Sequence, residues 1–186
     1  MTTDSSVVTD PGRIVQVGMG FFASKTLLSA VELASARRTA RLAIGRVDLA
    51  GELGLGVDPE GAEFGSIMLQ LVIASAAVGI AAPIAPTSTD FRDLDALRAS
   101  TEHLLRLGFR GRTAVHPAQL PVINQVFTPS PDEVARAQEL VAAFEEASRQ
   151  GSGVTTDADG RMVDAAVVRT AREVLQRADR WAATDD

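Results

Sequence analysis

Apolar and polar positions alternate along the chain in two periods, short runs that favour strands and longer repeats that favour helices. Residues 13–19 read as a strand, and residues 24–36 place Leu27, Leu28, Val31 and Ala34 on one helical face. Residues 40–49 form a second strand whose apolar core stops at Asp48. Residues 62–78 carry Phe64, Met68, Leu71, Val72 and Ser75 at helical spacing, with Gly79 as a left-handed cap. A third strand at 80–85 contains Pro83, which removes a ladder donor and weakens it. Leu94, Leu97, Thr101, Leu104 and Leu105 repeat through a helix at 90–107 that stops at Gly108.

A fourth strand at 113–115 ends in His116-Pro117, and a short helix follows at 117–126. Ser130-Pro131-Asp132-Glu133 then starts a strong helix. Serine is its N-cap, proline takes the first position, and Glu133 closes a capping box. That helix carries Val134, Ala137, Val141 and Phe144. A polar, glycine-rich connector spans 150–160. The last helix, from Val163, aligns Val167, Ala171, Val174, Leu175 and Ala178 as one stripe.

Strand and helix thus alternate four times before a two-helix tail, which predicts an α/β fold with a parallel sheet and right-handed crossovers. The expected organisation is a loose polar leader at 1–12, an α/β body at 13–128 and a helical arm at 129–186. With 186 residues the chain can bury one substantial core. It falls short of the roughly 250 residues of a complete (β/α)8 barrel.

Composition narrows the classes of function. Hydrophobic residues make up 46% and charged residues 23%, and the most apolar run, 67–85, is broken by Gln70, Gly79 and Pro83, so no membrane span is expected. A net charge of −6 with scattered arginines argues against a broad nucleic-acid surface. The absence of cysteine excludes disulfides, thiolate catalysis and Cys-ligated zinc. The N-terminal residues lack the charged start and apolar core of a secretion signal, so a cytoplasmic location is expected.

Two acids stand out. Asp48, at a strand end, suits a magnesium ion or a hydroxyl, and equally suits capping of the turn that follows. Asp164, in DGRMVD at the start of the last helix, is favoured there by the helix dipole alone. His116 reads either as a general base or as a structural residue before proline. Only one other histidine exists, His103 within a helix, which argues against a histidine metal site. A rival motif, Gly18-Met19-Gly20 followed by Ala23, fits a dinucleotide-binding turn after the first strand, and implies an oxidoreductase. Its acidic partner should lie about 20 residues later, and Asp48 comes later than that.

The stretch Gly108-Phe109-Arg110-Gly111-Arg112, Ala114-Val115-His116-Pro117-Ala118-Gln119, Asn124 and Phe127 through Pro131 resembles the HpcH/HpaI aldolase and citrate lyase β-subunit (CitE-like) family of CoA-ester lyases. Gly45-Arg46-Val47-Asp48-Leu49, Thr89 through Asp93 and Gly160 through Asp164 extend the resemblance in consistent order. It implies part of a TIM-type (β/α)8 barrel, about four βα units, with a C-terminal helical arm. The implied activity is magnesium-dependent cleavage or formation of a carbon–carbon bond in a 3-hydroxy acyl-CoA or related dicarboxylate. By resemblance Asp48 is a metal ligand and Asp164 a catalytic acid reaching a neighbouring subunit, which implies a homo-oligomer or a partner chain. His116, Gln119 and Arg112 are motif residues without an assigned role. The sequence departs from the family in three places. Phe22 falls where a second metal-binding carboxylate is expected, Ala85 stands where relatives usually carry Asp, and the first four barrel strands have no counterpart before Arg13. A non-catalytic, truncated homologue or oligomerising subunit is therefore the main alternative.

Overall fold

Three short extended segments run parallel in a computed structural model that describes residues 39–56 and 64–182. Ala43 bridges Ile84, and Ala85 bridges Arg112. The segment at 84–85 therefore lies between two neighbours taken in chain order, the arrangement that right-handed βα crossovers produce. The leader, the strand at 13–19, the helix at 24–36, the glycines of the Gly18-Met19-Gly20 motif and Phe22 lie outside the described residues.

The predicted strands shrink to these bridges, each for a local reason. Helix α1 (Arg46–Leu53) begins directly after Gly45 and takes over the end of the strand expected at 40–49. In the middle segment Ala81 and Ile84, three positions apart, donate to the carbonyls of Ala40 and Leu42, two positions apart. One extra residue is thereby accommodated beside Pro83, a bulge in the ladder. The strand expected at 113–115 is displaced, and the bridge forms at Arg112 instead. The backbone N–H groups of Val115 and His116 go to the side chain of Gln119 rather than to a ladder.

Helix α2 (Gly65–Ala77) and helix α3 (Leu94–Leu107) cover the bridged segments. Leu42, Ile44, Phe64, Met68, Leu71, Ala85, Leu104 and Phe109 form one buried cluster, with Phe64 and Phe109 wholly inaccessible. Helix α3 starts at Leu94 rather than 90 because Asp93 caps it, accepting from the Ala96 N–H at 2.8 Å. Gly108 ends it at φ 110°, and a Cβ there would meet Val72 Cγ1 at 2.8 Å, so only glycine fits. A 3-10 turn (Pro117–Gln119) then runs into helix α4 (Leu120–Phe127), and the first compact unit ends at Phe127.

The second unit begins at Thr128. Helix α5 (Pro131–Arg149) starts with the predicted capping box: Ser130 Oγ accepts from Glu133 N–H at 3.2 Å, and Glu133 Oε2 accepts from Ser130 N–H at 2.8 Å. The connector expected at 150–160 instead contributes to a hairpin of β1 (Thr155–Thr156) and β2 (Met162–Val163), paired antiparallel. Asp157 makes its turn, accepting from the N–H groups of Asp159 and Arg161. Helix α6 (Ala165–Ala182) packs on α5 with Val168 and Ala171 buried. Val167, expected in the apolar stripe, is 37% exposed, because packing against α5 selects the neighbouring position.

Candidate functional site

Asp48 is not a strand terminus. It is an exposed residue in the first turn of α1, whose N-cap Gly45 supplies no side-chain acceptor. A carboxylate there complements the partial positive charge of the helix start. Among the described residues no group of three or more His, Cys, Asp or Glu side chains could hold a metal ion. Magnesium needs several converging oxygens, so the described residues by themselves do not fit it.

Asp164 lies in the second unit and caps α6, accepting from the N–H groups of Ala166 at 2.9 Å and Val167 at 3.0 Å. Asp48 belongs to the first unit.

Arg112 sits half-buried between the last bridged segment and α3. Its Nε donates to Pro86 O at 3.0 Å, and Nη1 to Leu97 O, Ser100 Oγ and Thr101 Oγ1 at 3.3, 2.9 and 2.7 Å. Burial, with a smaller contribution from the charge of Arg46, pushes its pKa down to about 10. Its geometry is that of a clamp, with one guanidinium tying a strand, a loop and a helix.

Gln119 is wholly buried and uses both ends of its amide. Oε1 accepts from the N–H groups of Val115 at 2.9 Å and His116 at 3.3 Å. Nε2 donates to Ser88 O at 3.1 Å and Asp90 O at 3.2 Å. The loops that follow the bridges at Ala85 and Arg112 are thereby joined at the C-terminal ends of parallel segments, where α/β proteins bind ligands. The same loops are joined again by Thr87 Oγ1 and Thr113 Oγ1, 2.5 Å apart.

His116 is exposed, and its Nδ1 accepts from the Ala118 N–H at 3.1 Å. Its ring stacks on Phe91 with centroids 4.9 Å apart and planes inclined by 17°. The Arg92 guanidinium lies 5.1 Å from the centre of the Phe91 ring. Asp90, which turns this loop, is held below the usual carboxylate range by the backbone N–H groups of Arg92 and Asp93. The structure thus brings His116 and Gln119 together, with Phe91 and Arg92 beside them. The sequence signal for Phe91 and Arg92 was the Thr89 to Asp93 stretch that carried part of the family resemblance.

A second feature escaped the sequence reading, a cavity of about 790 Å³ within the second unit. Leu140, Ala171 and Val174 line it together with Arg136, Asp157 and Arg161.

Residues 23–117 match the family model described as HpcH/HpaI aldolase/citrate lyase. The chain is 38% identical over 157 residues to a (3S)-malyl-CoA thioesterase of Cereibacter sphaeroides, covering 84% of this chain and 54% of that protein. It is 32% identical over 154 residues to citrate lyase subunit beta of Leuconostoc mesenteroides subsp. cremoris, covering 82% and 50%. Among solved structures it resembles the protein CitE from Mycobacterium tuberculosis in complex with magnesium, acetoacetate and coenzyme A, with a TM-score of 0.68 and 27% identity over 82% of this chain and 57% of that one. The chain spans about half the length of the curated relatives it matches.

Proposed function

Because this chain belongs to the HpcH/HpaI aldolase/citrate lyase family, we propose that it acts on a CoA thioester as part of a (β/α)8-type barrel, cleaving or forming a carbon–carbon bond in a 3-hydroxy acyl-CoA or related dicarboxylate. The observation that carries this reading is the chain-order parallel pairing of the Ala43, Ile84–Ala85 and Arg112 segments, with the His116 loop at their ends. The complex of the similar CitE protein with coenzyme A and acetoacetate supports the ligand class.

In this reading Gln119 and Arg112 hold the strand-end loops in place. Asp164, carried by the arm of a neighbouring copy in a homo-oligomer, moves a proton at the carbon next to the thioester. Magnesium accompanies the similar CitE protein, but the described residues offer Asp48 without converging partners, so no step is assigned to a metal.

A second reading is hydrolysis of the thioester itself, favoured by the 38% identity to a malyl-CoA thioesterase. Incubating the purified chain with malyl-CoA and magnesium, with product analysis by mass spectrometry, separates the readings. Carbon–carbon cleavage yields acetyl-CoA and an aldehyde acid with the thioester intact, whereas hydrolysis yields malate and a free thiol. Neither product would leave the non-catalytic, oligomerising subunit as the reading for this chain.

A further inference from the structure

We propose that Gln119 is a positioning residue that fixes His116 as a hydrogen-bond donor for an anionic oxygen of the ligand. The proposal rests on the reading above only for the identity of that ligand. The side chains form a closed circuit. Gln119 Oε1 holds the backbone N–H of His116 and of its neighbour Val115. The His116 ring stacks on Phe91. Phe91 stands on the turn whose Ser88 and Asp90 carbonyls are held by Gln119 Nε2. Loss of the amide therefore loosens both walls of the stack together.

The circuit also selects a tautomer. Nδ1 accepts from the Ala118 N–H, so the neutral imidazole carries its proton on Nε2. Nε2 has no hydrogen-bond partner among the described residues, and the residue is exposed. Arg92, against Phe91, adds a positive charge. The nearby carboxylates of Asp90 and Asp93 each commit an oxygen to backbone N–H groups. A donor, a cation and an aromatic face at the ends of parallel segments suit a carboxylate or a phosphate oxygen. In a CoA ester of a dicarboxylic acid both are present, one at the acyl end and one on the coenzyme.

The test uses the 15N-labelled chain and two-bond proton–nitrogen spectra of the imidazoles, with His103 as internal reference. In the parent chain His116 is expected as the Nε2–H tautomer, with its ring protons displaced by the Phe91 ring current. Gln119→Glu keeps the size and the acceptor oxygens but removes both donors to Ser88 and Asp90. It is expected to mix the tautomers and collapse the ring-current displacement while His103 stays unchanged; a His116 spectrum identical to the parent overturns the positioning role. Titration with free coenzyme A and, separately, with malate is expected to move the His116 Nε2 signal for one of them, which distinguishes phosphate from carboxylate. His116→Phe, a change at an exposed residue that keeps a ring to stack on Phe91 but removes the Nε2–H donor, is expected to weaken that ligand about tenfold, the loss of one charge-assisted hydrogen bond. Unchanged affinity, or no response of His116 to either probe, overturns the donor role. Turnover of a CoA ester with a silent His116 sinks this inference and leaves the proposed function standing, and a responsive His116 without turnover does the reverse.

Discussion

The two compact units of this chain are held together by opposite means. In the first, long-range polar clamps join elements far apart in sequence: Gln119 reaches Ser88 across 31 positions, and Arg112 reaches Pro86 across 26. These clamps lie over a deep core of Phe64, Phe109 and Leu71. In the second, the decisive polar contacts are local, such as the Ser130–Glu133 box and the Asp157 turn. Among its described residues the largest fully buried side chains are Val163 and Val168. Large buried side chains stabilise the first unit, which lets it carry irregular strand ends. The second unit relies on helix ends and on one helix pair, and its thin interior leaves room for a cavity.

The contrast is sharpest where the core is deepest. Phe109→Ala is expected to cost about 3–5 kcal/mol and to strip hydrogen-exchange protection from α2 and α3 while α5 and α6 keep theirs. Equal loss in both units would erase the distinction. Gly108→Ala forces a left-handed residue and a Cβ into Val72, and about 1–3 kcal/mol of destabilisation is expected in urea unfolding. A neutral result would mean that α2 yields easily at Val72.

In the second unit Ser130→Ala is expected to cost about 1 kcal/mol and to fray the start of α5, read by exchange of the Glu133 amide. The same box has a pH signature. The Ser130 backbone N–H, followed by weaker contributions from its hydroxyl and from Arg177 and Arg136, holds the Glu133 carboxyl below its ordinary value of 4.5. A carboxylate with a depressed folded pKa contributes stability above its unfolded value, and that contribution is lost as pH falls through the folded value. Melting of the second unit should therefore decline below about pH 4.5, and Glu133→Gln should flatten that decline. The smallest effect is expected for Arg172→Ala, which breaks the exposed 3.0 Å ion pair to Glu145. A change of about half a kcal/mol or less that vanishes in salt fits a solvated pair, and a larger one would show that α5 and α6 depend on it.

What the sequence made legible follows the same division. The helix starts at Ser130 and near Asp164, and the stop at Gly108, use residues that act within four positions of themselves, so pattern was enough. The hairpin at 155–163 was missed because its strands have two residues each, too short for any alternation to register. Asp48 was misplaced because α1 begins without a capping side chain, so nothing in the sequence marked where the strand gives way. Gln119 could be singled out as a motif residue, yet its role depends on carbonyls about thirty positions upstream, which spacing does not encode.

The extra residue beside Pro83 acts as a phase shift. Alternation along a strand assigns every side chain to one of two faces, so a single added position exchanges the faces of all that follow. The bulge absorbs that exchange, because Ala81 and Ile84 both donate to the neighbouring segment and Ala85 stays in the core cluster. Deleting Ala82 would restore the regular count and leave the pairings on both sides as they are, so Ala85 would still face the core. A one-residue deletion elsewhere in the segment would have no such slack, and would exchange the faces of the positions that follow it.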